Sequence, residues 1–173
     1  PFVRLVDLDD VAMRRVVDVN LYGTLHVVRA FLPGLLRRPV AHVAIVSSMG
    51  GYLPVPGQTV YGATKAAVKL LAEGLYAELR HTDVGVTAVM PGAVTTDIAA
   101  NSGVAVPDLG DDSRYPATEP EDAARTIVDA IEANRLHVYV GRDARLMNLL
   151  VRIAPKQATH LIQRQMRGLL GSP

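Results

Sequence analysis

The chain of 173 residues contains no cysteine. That excludes disulfides and thiolate metal sites and makes an intracellular, cytoplasmic home the simplest expectation. No uncharged apolar run approaches the roughly 18 residues of a membrane span. The opening Pro1-Phe2-Val3-Arg4 lacks the layout of a signal peptide. The formal net charge is only +1, which gives no electrostatic case for a nucleic-acid partner. Lysine is scarce, at positions 65, 69 and 156 against fifteen arginines. The five histidines (26, 42, 81, 137, 160) fall in no ligand or relay spacing, and no metal site is expected. Ser48 has Val46 two residues before it, so the G-x-S-x-G elbow of a serine hydrolase fails. No two glycines stand two positions apart, so a G-x-G-x-x-G turn cannot occur either.

What is present is a globular composition, 49% hydrophobic with mean hydropathy +0.20, and length enough for one sizeable core. The most informative stretch is Tyr61-Gly62-Ala63-Thr64-Lys65. It opens a segment running to about Arg80 in which Ala63, Ala67, Leu70, Leu71, Leu75 and Leu79 recur at helical steps. Residues four apart share a helix face, roughly 6 Å along the axis, so Tyr61 and Lys65 are neighbours. A free phenol, with a pKa near 10, is a poor acid–base catalyst at neutral pH. An ammonium beside it stabilises the phenolate and fits it to exchange a proton with a substrate oxygen. A bare Y-x-x-x-K pair is weak evidence, since a surface Tyr resting on a Lys stem reads the same way.

Its surroundings add weight. Ala41 to Val46 is a short apolar run suited to a buried parallel strand, and it ends in Ser47-Ser48. A hydroxyl at the carboxyl end of a strand lies where open α/β sheets bind ligands. Val84 to Met90 reads as a second strand, closed by Pro91-Gly92-Ala93-Val94-Thr95-Thr96. His137 to Val140 reads as a short third. Upstream, one long helix is expected from about Leu8 to Leu36, capped by Asp7 or Asp9 and kinked near Asn20 or Pro33. Another is expected from about Pro120 to Asn134, capped by Thr118, with Ala123, Ala124, Ile127 and Ile131 inward. Residues 95 to 118 form a long Gly- and Pro-containing loop with raised mobility, read as a substrate lid or a plain surface insertion.

Four motifs in this order and spacing resemble the short-chain dehydrogenase/reductase family over about residues 5 to 141: Val19-Asn20-Leu21, Ser47-Ser48, Tyr61 to Lys65, and Pro91 to Thr96. The resemblance implies a Rossmann-like α/β fold, a parallel sheet with flanking helices. It implies that Ser48 binds the substrate oxygen and that Tyr61 is the acid/base. It gives Lys65 the tuning of Tyr61 and the nicotinamide ribose, and Asn20 a water in a proton relay. Pro91, Gly92, Val94 and Thr96 would flank the nicotinamide of NAD or NADP. The chemistry implied is hydride transfer between that cofactor and an alcohol or carbonyl substrate, read as hydrophobic from the apolar loop and tail. Helices 8–36 and 59–80 would pair across a two-fold axis in a homo-oligomer.

The family's opening strand and Gly-rich turn have no counterpart here, so about three later strands are expected in residues 1–141. The chain thus reads as a piece of a longer enzyme or a truncated product, and the alternative to an enzyme is a catalytically silent module keeping only the assembly surface. Residues 142–173 differ in character. They carry five Arg and one Lys against the single acid Asp143, +5 in a chain of +1 overall. Leu146, Leu149, Leu150 and Ile153, then Leu161, Ile162, Met166 and Leu169, suggest two amphipathic helices broken at Pro155. Packing over the substrate mouth or a partner subunit is the favoured reading, and contact with an anionic membrane surface is the other.

Overall fold

A computed structural model describes residues 2–96 and 117–166. Three strands, β1 (Ala41–Val46), β2 (Val84–Pro91) and β3 (His137–Val140), form a parallel sheet in the order β1-β2-β3. Ala41 pairs with Val84 at one end of the first ladder, and Ala88 with His137 in the second. Parallel neighbours need a crossover. Helix α3 (Thr59–Glu78) supplies it between β1 and β2, and α4 (Pro120–Glu132) between β2 and β3. Before the sheet come α1 (Asp10–Val17) and α2 (Gly23–Leu35), and after it α5 (Arg142–Ile153) and α6 (Pro155–Gln165). The expected lid falls almost wholly outside the described residues.

Strand β2 shows how the layers are made. Covered on both faces, it is nearly continuous apolar chain. Val84, Val86, Ala88 and Met90 point to one side and meet Val68, Ala72, Leu75 and Leu79 of the α3 segment, with Val28, Leu32 and Leu35 of α2 alongside. Val89 points to the other and meets Ala123 and Ala130 of α4 with Val138 and Val140 of β3. Period two along the strand and period 3.6 along the helices thus converge on two cores. Thr87, wholly buried, shares the Val89 face; it donates to Arg135 O at 2.7 Å and meets His42 Nε2 at 2.8 Å.

Several local details decide between alternatives in the sequence reading or depart from it. Asp9 is the cap, accepting from Ala12 N at 2.9 Å, whereas Asp7 instead pairs with Arg4. Pro33, one of the two expected kink positions, lies inside α2, which runs on to Leu35. The distortion lies between α1 and α2, where Asp18–Tyr22 forms a π turn around Asn20. Thr118 is not the cap of α4. Glu119 takes that position without a side-chain bond, and Thr118 forms a bridge with Val94. Ala124 is exposed, and Ala130 is the second alanine buried in α4.

One turn beyond Lys65, Lys69 and His137 both meet Glu73 Oε1, at 2.6 and 2.7 Å. Burial by itself raises the Glu73 pKa, but the hydrogen bonds from Lys69 and His137 outweigh it and hold the carboxyl below its ordinary value. The linked stability is therefore complete above the unfolded carboxylate value, about 4.3, and is lost as pH falls through the lower folded value. Thermal melts between about pH 6 and pH 3 check this: Glu73→Gln should flatten the acid fall in Tm.

Strand β1 is an edge. An open groove of about 510 Å³ runs between it and α2, lined among others by Val19, Val27, Phe31 and Val46. Val46 is 53% and Phe31 65% exposed, so this edge is incompletely covered among the described residues.

Candidate active site

The site forms where β1 ends and α3 begins. Ser47 and Ser48 leave the strand, and the 3-10 turn Met49–Gly51 brings the chain back against α3. Two glycines allow that approach. A Cβ on Gly51 would stand 2.9 Å from the backbone C and O of Lys65 and 2.9 Å from Ser47 Oγ. A Cβ on Gly62 would stand 2.9 Å from Gly50 O. Ser47, buried, donates to Lys65 O at 2.6 Å and ties the strand end to the helix.

This folding gathers the three groups singled out from the sequence. The Cβ position of Gly50 lies 3.4 Å from Tyr61 Cε1 and 3.5 Å from Ser48 Oγ, so phenol ring and hydroxyl flank one point. Ser48 Oγ accepts from Gly50 N at 3.0 Å, which fixes its oxygen and leaves its own proton to donate. Lys65 Nζ lies 5.7 Å from the Tyr61 ring centroid and donates to Val46 O at 3.2 Å. Burial pushes the Lys65 pKa down, because a desolvated ammonium is disfavoured. The nearby Tyr52 is a different kind of phenol. Burial, then the neighbouring Tyr139 and Asp143, push its pKa far above the ordinary value, and it donates to Ala144 O at 2.8 Å. It is a structural donor, unsuited to proton exchange near neutrality.

Asn20 reaches the site through one intermediary. Its Nδ2 donates to Thr64 Oγ1 at 3.1 Å, and Thr64 donates to Tyr61 O at 2.7 Å. The Asn20 backbone carbonyl accepts from Thr24 Oγ1 at 2.7 Å, with one lone pair remaining. π turns recur at functional positions, and this one sets Asn20 beside α3.

Pro91 ends β2, and Gly92 donates to Val140 O at 2.9 Å. Thr95 N donates to Thr118 O and Thr118 N to Ala93 O, each at 2.9 Å, which pins Val94 in the bridge. Thr96 is exposed at the end of the segment. Sequence reasoning missed Asp143, whose carboxylate accepts from Ala93 N at 2.8 Å. A Cβ on Gly92 or Gly141 would collide with that carboxylate, and Gly141 has φ +97°. The available signal was an acid two residues past a glycine at a strand end, too common to notice. Thr64 was overlooked too, although it sits inside the Tyr-to-Lys motif. Among the described residues no group of three or more His, Asp or Glu side chains is placed to hold a metal.

A family model described as short chain dehydrogenase matches residues 2–105. The Mycobacterium tuberculosis protein SadH is 35% identical over 161 residues, covering 87% of this chain and 57% of SadH. The rat dehydrogenase/reductase SDR family member 7B is 29% identical over 161 residues, 88% of this chain and 47% of that protein. The chain thus spans about half the length of these curated relatives. Among solved structures, a Burkholderia cenocepacia short chain dehydrogenase in complex with NADP superposes with TM-score 0.78 at 25% identity, covering 93% of this chain and 63% of that one. A structure described for 7beta-hydroxysteroid dehydrogenase stereoselectivity gives TM-score 0.78 at 19% identity, over 94% and 62%, a likeness of fold. Motif order, parallel sheet and the matched family model agree: the chain belongs to the short-chain dehydrogenase/reductase family of oxidoreductases.

Proposed function

We propose that this chain is the catalytic half of an NAD(P)-dependent alcohol/carbonyl oxidoreductase acting on a hydrophobic substrate. The observation that carries the reading is the meeting of Ser48 Oγ and the Tyr61 ring beside Gly50, with Lys65 Nζ 5.7 Å from that ring. In reduction, Ser48 donates a hydrogen bond to the carbonyl oxygen and polarises it. Tyr61 gives the same oxygen its proton, and the Lys65 ammonium stabilises the phenolate left behind. A nicotinamide held beside them would supply the hydride for the carbonyl carbon. A silent assembly module has no use for this convergence, so the enzymatic reading is preferred.

The residues present fit one end of that cofactor. Lys65 offers an ammonium donor for ribose hydroxyls, and the pinned Pro91–Thr96 segment offers a fixed wall. Support for NAD(P) comes from the NADP complex of the Burkholderia relative. A pyrophosphate cradle has no Gly-rich turn to form it, since no G-x-G occurs. Hydrophobic substrate preference is supported by Met49 and Tyr52, apolar and only partly buried in the loop after Ser48. Pairing through helices 8–36 and 59–80 is supported by Val11 and Leu70, exposed at 77% and 68%.

The test is a titration followed by an assay. This chain alone should bind NAD(P)H weakly or not at all, and tight saturable binding by calorimetry contradicts the partial-site reading. A protein supplying the Gly-rich strand–turn–helix ahead of Pro1 should turn over apolar ketones. Turnover confined to small polar sugars rejects the substrate class.

A further inference from the structure

The hairpin of α5 and α6 has two faces with different chemistry. Its inner face is accounted for: Ala144, Met147 and Ala158 are buried, and the latter two meet Leu53, with Leu150, Val151 and Ile162 packed around them. Its outer face is also apolar. Leu146, Leu149 and Ile153 are 39, 54 and 74% exposed. At 3.6 residues per turn these three and Arg142 fall within one narrow stripe along α5. Arg145 and Arg152 run beside the stripe, and Lys156 and Arg164 extend the positive charge onto α6, all four exposed.

The single acid of residues 142–173, Asp143, does not offset this charge. It turns inward and accepts from Ala93 N. None of the five cations takes part in an ion pair among the described residues. An apolar stripe flanked by cations on a short helix is the pattern of an element lying in a lipid interface, with shallow burial of roughly 5–10 Å.

We propose that the outer face of α5, with the cations of α6, docks this protein on an anionic lipid surface. Charge complementarity selects that occupant. A second copy packed antiparallel on the same face by two-fold symmetry would set the flank carrying Arg145 and Arg152 against the same flank of its partner. A nucleic acid would satisfy the cations and leave Leu149 and Ile153 in water. An anionic bilayer matches both components, the stripe by shallow insertion and the cations by headgroup attraction. The hairpin packs on the loop after Ser48, so docking brings that loop close to the membrane.

Vesicle flotation of the full chain tests this, since aggregated protein does not float. Vesicles of phosphatidylcholine with about 30% phosphatidylserine should carry the chain upward, and pure phosphatidylcholine should not. Each cation near such a surface adds roughly five-fold to partitioning, so Arg145→Glu with Arg152→Glu should reduce binding at least 25-fold. Leu149→Gln with Ile153→Gln should reduce it about as strongly. Both pairs alter exposed positions, and circular dichroism should show an unchanged fold. Equal binding to the two vesicle types, no binding to either, or binding indifferent to both variant pairs overturns the proposal. Capture of an acidic protein in place of vesicles overturns it as well.

Discussion

Tyr61→Phe in the complete enzyme is expected to lower turnover by about two to four orders of magnitude, with the fold unchanged. The substitution removes one oxygen. Tyr61 Oη makes no hydrogen bond to protein among the described residues, so no fold contact is lost with it. The ring that packs beside Gly50 stays in place. What disappears is the group proposed to give the substrate oxygen its proton, while Ser48 and Lys65 remain. Steady-state kinetics should show the loss mainly in kcat, with the KM for cofactor little changed, because the ring still occupies its position. Tyr52→Phe is the internal comparison. It removes the bond to Ala144 O and should lower stability by about 1 kcal/mol without the catalytic loss. Unchanged kcat in Tyr61→Phe withdraws the acid/base assignment.

The second large effect is steric. Gly51→Ala places a methyl 2.9 Å from two backbone atoms of Lys65 and from Ser47 Oγ. Backbone at the first turns of a helix cannot swing aside as a side-chain tip can, so the Met49–Gly51 turn must move away from α3. Overpacking of this kind costs about 1–3 kcal/mol, roughly 3–9 °C in Tm for a chain of this size. Turnover should fall with it, because the displaced turn carries Ser48 and Tyr61 is left behind. Gly74→Ala, on α3 itself, gives the contrast. Its Cβ would meet nothing within 4 Å, and the gain in helix propensity should stabilise by about 0.5–1 kcal/mol. Paired thermal melts decide the matter: equal and small shifts in the two variants refute the close-approach account of Gly51.

The sequence carried the elements whose signals are local. The helical spacing of Leu71, Leu75 and Leu79, the apolar run of β1 and β2, and the break at Pro155 each follow from one stretch of chain, and each appears where expected. The pairing of Tyr61 with Lys65 was legible for the same reason, since four residues on a helix is a local distance. Asp9 was legible only as one of two caps, because a cap depends on which residue first turns helical. What lay beyond the sequence were contacts between segments far apart along it. Asp143 stands fifty positions from Ala93, Asn20 forty-four from Thr64, and neither spacing has a period to reveal it. The close approach at Gly51 is of the same kind, because a glycine that admits a neighbouring helix reads like one that merely bends a loop. Hydrophobic pattern therefore determined the layers. Only the packed chain decided which polar groups those layers carry to the site, because such contacts depend on distance in space.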